Sequence, residues 1–225
     1  MVRKPGVFSK LSKKAQVKMN SYIPEKIHSA ITATIKQMIR SVLFGVKLAG
    51  KQPISPASLE EAEIKATELI KKHRKTGAIE GGITGAGGIL MGLADFPLLV
   101  GIKFKLLFDL AAAYGFDVRD YKERLYFLFI FQLAFSSPQH RKKIYLQMEQ
   151  WEEFKNTLPD NINEFDWRAF QQEYRDYIDL SKMAQLIPGI GAVVGVVVNY
   201  NLLGKLGTTA MNAYRMRLYF SGNKI

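Results

Sequence analysis

Read for its alternation of apolar and polar positions, the chain resolves into helical stretches separated by short polar breaks. Residues 1–20 read as a short basic helix behind a loose start. Pro24 suits the first turn of the next helix. There Ile27, Ile31, Ile35, Met38, Val42, Val46 and Ala49 form one stripe at helical spacing, with Lys26, Lys36, Arg40 and Lys47 around it. Lys51 to Pro56 is a loop. Ser58-x-x-Glu61 has the form of a capping box and opens a helix to about Lys75. Its first turn is acidic, and Lys71, Lys72, His73, Arg74 and Lys75 lie in the last, as the helix dipole favours. A glycine-studded apolar segment follows, and Ala94-Asp95-Phe96-Pro97 interrupts it, because proline disfavours helical conformation in the residue before it. Phe96 to Tyr114 reads as an amphipathic helix carrying Lys103, Lys105 and Asp109, stopped by Gly115.

The next helix, from near Arg119, holds the apolar run Leu125 to Phe135. Spanning a bilayer takes about 20 apolar residues, so this run reads as a buried core helix. Ser137-Pro138 starts another helix, to about Leu158. After a loop at Pro159 to Asn161 comes an acidic helix whose Trp167, Phe170, Tyr174 and Tyr177 read as packing residues. A second glycine segment begins at Ile187-Pro188-Gly189, and a last helix is expected from about Lys205 to Phe220. The one β-branched run, Val193 to Val198, has glycine flanks that fit a buried helix.

The two glycine segments echo each other 104 positions apart. Gly85, Gly87 and Gly88 align with Gly189, Gly191 and Ala192, and Asp95-Phe96-Pro97 aligns with Asn199-Tyr200-Asn201. Four-residue spacing in Gly77–Gly81–Gly85 and Gly88–Gly92 puts the glycines on one helix face, where another backbone can come close. Each glycine costs a helix about 1 kcal/mol relative to alanine, so close packing or a low-dielectric setting must offset it. The expected fold is all-α, with a basic arm at 1–23 and one domain at 24–225. That domain has about eight helices, including two related glycine-rich hairpins. Gly81, Gly85, Gly88, Gly92, Gly189, Gly191 and Gly195 would pack these hairpins or line a ligand cavity, such as one for an acyl chain. Ile83 to Ile102 comes close to a membrane span, but Asp95 and the glycines within it favour a buried or inserted hairpin.

Charge changes this picture. The net charge is +12, and residues 1–51 hold eleven Lys/Arg against Glu25 alone. Residues 149–179 are acidic, with nine Asp/Glu against three basic residues. Such asymmetry points to an anionic partner for the first arm. Lys10, Lys13, Lys14, Lys18, Lys36 and Arg40 are the candidate contacts for an anionic membrane surface or lipid. The stripe from Ile27 to Ala49 fits either a basic helix lying on a membrane or a core helix with solvated lysines. Nucleic acid is not expected, because no helix-turn-helix, zinc finger or ribonucleoprotein motif accompanies the basic arm. With no cysteine, a disulfide framework, thiolate catalysis and Cys-ligated zinc are excluded. No signal peptide is visible.

Motifs for chemistry are few. Gly189-Ile190-Gly191-Ala192-Val193-Val194-Gly195 superficially resembles a dinucleotide fingerprint, but a helix precedes it and no acid follows about twenty residues on. Phosphate-loop, Gly-x-Ser-x-Gly and His-Glu-x-x-His patterns are absent. His28, His73 and His140 read as surface residues, and Glu60/Glu61 and Glu152/Glu153 as solvated charges. No metal site or cofactor is expected. The better candidates are polar residues inside apolar stretches: Glu80, Asp95, Asn199 and Asn201, with Asp109. Asp95 also fits a simple helix cap before Phe96-Pro97.

The glycine hairpin carries a resemblance. Gly81-Gly82-x-x-Gly85 to Gly92-Leu93-Ala94-Asp95-Phe96-Pro97-Leu98, then Ala112-x-Tyr114-Gly115-Phe116-Asp117, resembles the EcsC family. Ile187-Pro188-Gly189-Ile190-Gly191 through Ala213-Tyr214-Arg215 fits as well, so the likeness covers about residues 25–220. That family takes its name from a Bacillus protein encoded beside an ABC-transporter ATPase and its membrane subunit. The resemblance implies a bacterial, membrane-linked setting and carries over no catalytic residues. The expected function is therefore a non-enzymatic accessory protein on the cytoplasmic face of the cell membrane, peripheral or shallowly inserted. Its partner would be an ABC transporter or membrane-protease system. The rival is a hydrolase-type enzyme acting on a lipid or peptide through Asp95, Lys103 and Asp109.

Overall fold

The computed structural model describes residues 52–86, 96–136, 138–160, 164 and 191–221. The basic arm, the stripe from Ile27 to Ala49, Asp95 and the helix expected around Trp167 to Tyr177 lie outside the described residues. All regular structure among the described residues is helical, in six α-helices and one 3-10 turn. These are α1 (Leu59–Ala86), α2 (Phe96–Ala113), α3 (Tyr121–Phe135), α4 (Pro138–Glu149), the single turn α5 (Trp151–Phe154) and α6 (Gly191–Ser221). The 3-10 turn, Lys155–Thr157, follows α5 directly.

Two boundaries differ from the sequence expectation. Helix α1 does not stop near Lys75 but continues through Gly77, Gly81 and Gly82 to Ala86. Likewise, no break separates the second glycine segment from a helix at Lys205, since α6 runs unbroken from Gly191 to Ser221. Asn199-Tyr200-Asn201 thus sits within a helix, whereas the aligned Phe96-Pro97 opens one. The reason is tertiary. The two long helices lie antiparallel, and their glycines let them approach closely enough to offset poor helix propensity. Glu63 meets Arg215, Arg74 lies against Gly204, and Gly77 faces Leu203. A Cβ on Gly207 would sit 2.5 Å from Ile70 Cγ1, so this position has room for glycine alone at the present spacing.

Helix α2 packs on both α1 and α6. It ends in a Schellman motif, with the Phe116 N–H donating to the Ala111 carbonyl and the Gly115 N–H to that of Ala112. Gly115 takes φ +82°, the left-handed conformation this cap needs, which confirms the expected glycine stop. The N-terminal segment crosses here, and the Ile54 N–H bonds the Ala112 carbonyl at 2.9 Å. At α1, Ser58 Oγ accepts from the Glu61 N–H at 3.2 Å, and the Glu61 carboxylate accepts from the Ala57 N–H at 2.8 Å. The capping box is therefore present, with its glutamate reaching one residue further back than the usual pattern.

Helix α3 starts at an Asp120 cap and is apolar on nearly every side, as a fully buried helix must be. Leu125, Tyr126, Phe127, Leu128 and Ile130 are completely inaccessible. Around its N-terminal half lies an aromatic cluster. Tyr214 stacks on Tyr114 and on Phe116, each at 5.1 Å, and Tyr126 packs against Trp151 at 4.7 Å. These contacts join α2, α3, α5 and α6 at one end of the molecule.

Candidate functional site

Two buried polar groupings and one exposed end carry the unusual chemistry. Within the α1–α2 interface, His73 Nε2 and Asp109 Oδ2 are 2.8 Å apart, and both residues are at most 7% exposed. His73 was read from the sequence as a surface residue; it is instead inside, where Asp109 satisfies its ring nitrogen and it satisfies the carboxylate. Lys103, also on α2, is buried, and burial depresses its ammonium from the usual 10.5 to about 8. Lys103 and Asp109 are six residues apart on α2, so they point in divergent directions.

The second grouping lies at the aromatic end. The Arg217 guanidinium donates to both Glu123 carboxylate oxygens, at 2.6 and 2.7 Å, and its Nε donates to Glu152 at 3.0 Å. It also lies over the Phe116 ring at 4.2 Å and the Tyr126 ring at 5.0 Å. Burial opposes this charge, yet the bonds to Glu123 and the Glu123 and Glu152 charges outweigh it, so the guanidinium is held above its ordinary range. One sequence reading is corrected here. Glu152 is not simply solvated, because it bridges Arg217 and Lys155. Tyr219 and Phe220 beyond Arg217 are exposed, but Arg217 faces inward. A bidentate, ring-flanked arginine of this kind ties three helices together.

At the opposite end, the C-terminal part of α1 and the N-terminal part of α6 project apolar side chains into solvent. Ile79 is 63% exposed, Ile83 55% and Val197 52%; Val196 and Tyr200 are exposed beside them. Ile79 and Ile83 are four residues apart and share a face, which continues back along α1 to Lys75 and Lys72, both exposed. On α6 the same spacing joins Val197 to Asn201 and Lys205. The result is an apolar tip behind which lysines gather on both helices. Among the described residues, no helix is long and apolar enough to cross a membrane, and no cluster of His, Asp or Glu could hold a metal ion.

The predicted site residues divide accordingly. Lys10, Lys13, Lys14, Lys18, Lys36, Arg40, Gly88, Gly92, Asp95 and Gly189 lie outside the described residues. Gly81 is buried within α1, Gly85 lies near its end, and Gly191 and Gly195 lie in the first turns of α6. Glu80 is half-buried on α1, and Asn199 is 2% exposed on α6. Asn201 faces solvent beside Arg74. Glu123 and the exposed tip were not foreseen from the sequence, nor were the buried roles of His73 and Arg217. A basic residue three to five positions from the end of an apolar helix was the available signal for Arg217. For the tip it was the run of isoleucines at four-residue spacing, Ile79 and Ile83.

Comparison with known proteins gives the chain its relatives. The model of the EcsC protein family matches residues 1–219. Protein EcsC of Bacillus subtilis (strain 168) is 46% identical over 218 residues, covering 96% of this chain and 89% of that protein. The uncharacterized protein YdbA of the same strain is 28% identical over 190 residues, covering 81% of this chain and 68% of that protein. No solved structure matches. The extent of the family match, with near-full coverage at 46% identity, shows that the chain belongs to the EcsC protein family.

Proposed function

We propose that this protein is a membrane-associated accessory protein that binds the anionic cytoplasmic face of the cell membrane and serves an ABC transporter or membrane-protease system there. The observation that carries the membrane part is the apolar tip of α1 and α6 with exposed lysines behind it. Exposed isoleucine and valine side chains are costly in water, at about 25 cal/mol for each Å² of apolar surface, and insertion between lipid headgroups removes that cost. Lysines set back from the tip would meet the phosphate layer, each contributing about 1 kcal/mol near an anionic surface. The charge of the first 51 residues supports the same reading, with eleven Lys/Arg against one acid. The transporter partner rests on membership of the EcsC family.

Reversal of the arm tests the electrostatic half. The variant K10E/K13E/K14E/K18E changes the net charge by eight units and should abolish co-sedimentation with anionic vesicles. Undiminished binding would remove the arm from the account.

A further inference from the structure

Behind the tip, α1 and α6 enclose a shallow groove of about 410 Å³ lined by Arg74, Asn201, Gly204, Lys205, Thr208 and Thr209. The lining contains hydrogen-bond donors from both helices and no carboxylate. Arg74 is held there by three contacts. Its Nε donates to the Tyr200 carbonyl at 3.2 Å, its guanidinium stacks 3.8 Å from the Tyr200 ring centroid, and its flat face lies against Gly204. A Cβ at Gly204 would come within 3.0 Å of the guanidinium carbon, so glycine makes the seat for the arginine. Both terminal nitrogens of Arg74 are left without a hydrogen bond or ion pair among the described residues. The Thr208 hydroxyl and the Asn201 amide likewise make no hydrogen bond among the described residues. Thr209 donates to the Lys205 carbonyl, which keeps its oxygen turned into the helix groove as an acceptor.

Positive side chains from both helices meet here, Arg74 from α1 and Lys205 from α6. The Lys205 ammonium lies 5.6 Å from the Phe135 ring centroid. Burial, and then the charge of Arg141 on α4, lower its proton affinity. An anion placed in the groove would be attracted by both side chains. A pre-stacked arginine with a free fork, beside a lysine and a hydroxyl, suits the tetrahedral oxygens of a phosphate.

We propose that this groove binds a phosphate group, and that in the cell this phosphate is the headgroup of an anionic phospholipid. The phosphate chemistry stands on the groove alone; the lipid source rests on the membrane reading given above. The spacing agrees with a lipid. Lys205 lies eight residues from Val197 along one face of α6, about 12 Å at 1.5 Å per residue. An interfacial helix buries its apolar face about 5–10 Å into the headgroup boundary. A tip inserted to that depth brings the groove to the level of the phosphates.

The test uses the full chain and four proteins: wild type, R74Q/K205Q, R74K, and K65Q/K105Q, which removes the same charge from exposed positions outside the groove and the tip. Each is titrated with phosphatidylcholine vesicles containing phosphatidic acid, and separately with inorganic phosphate while the backbone amide resonances of residues 204–209 are followed. Thermal melts confirm that the variants fold. R74Q/K205Q should bind vesicles at least tenfold more weakly than wild type, R74K should fall between, and K65Q/K105Q should stay within threefold. Phosphate should shift the groove amides in wild type and not in R74Q/K205Q. Groove shifts with phosphate but no vesicle binding by any protein would keep the phosphate site, assign it a soluble ligand and sink the membrane reading. Equal losses in R74Q/K205Q and K65Q/K105Q, or groove amides unmoved by phosphate, would overturn the site.

Discussion

Arg217 shows how much one buried charge can organise. Its fork is filled by Glu123, its edge by Glu152, and its faces by Phe116 and Tyr126. Removing one partner of such a pair leaves the other buried and uncompensated, which costs about 3–5 kcal/mol. R217M should therefore lower the unfolding free energy measured in urea by that amount. The double variant R217M/E123L should lose much less than the sum of the single losses, because neither charge is then stranded. Lys103 gives a pH signature. Its folded-state value of about 8 lies below the unfolded 10.5, so between these the unfolded chain binds more protons and stability rises with pH. The shift corresponds to about 3 kcal/mol, fully lost below pH 8 and regained by pH 10.5. Burial pushes Tyr114 the other way, up to about 12, and Tyr214 upward as well, so these favour the unfolded state above pH 10. The clean quantity is the stability of K103M relative to wild type. K103M should gain least at pH 10 and most at pH 7, and a pH-independent difference would contradict the assignment.

At the level of elements, the α1–α6 pair depends on where its glycines fall. Gly207 has Ile70 Cγ1 where a methyl group would go, and a β-branched side chain packed in a core cannot swing away cheaply. G207A should destabilise by about 1–3 kcal/mol through overpacking, and I70A, which removes the clashing γ carbons, should cost less in the G207A background than in wild type. Gly101 has nothing within 4 Å, so G101A should stabilise by up to about 1 kcal/mol through helix propensity. Urea denaturation of the two variants separates close packing from propensity, and shifts of the same sign would refute the contrast.

These elements also show what could be read from the chain beforehand. The Gly115 stop, the Ser58 cap and the buried run of α3 were legible, because each is a local signal of backbone conformation or unbroken hydrophobicity. The lengths of α1 and α6 were not. Glycine argues locally for a break, and only the partner helix, more than a hundred residues away, makes it an asset. The buried pair of His73 and Asp109 was hidden for the same reason. His73 follows two lysines and precedes an arginine and a lysine, and only the packing of α2 reveals which of these positions faces inward. Of the candidate site, Asn201 was named in advance. Arg74 and Lys205, which share its groove, read as ordinary helix-end charges.

For the whole molecule, the distribution of chemistry along the long axis matters most. Among the described residues, one end of the α1–α6 pair is closed by stacked aromatics and the Arg217 network, and the other presents an apolar tip with a basic groove behind it. The first 51 residues add eleven Lys/Arg against one acid. Such a molecule should approach an anionic surface electrostatically and be held by insertion, so binding should have a salt-sensitive and a salt-resistant part. The most direct measurement is sedimentation of wild type and the tip variant I79D/I83D/V197D with vesicles, with and without anionic lipid, at low and high salt. The account predicts that wild type sediments only with anionic vesicles and retains a fraction at high salt. The tip variant should sediment at low salt and be released completely at high salt. Failure of wild type to sediment with any vesicle, or identical salt curves for the two proteins, would contradict it.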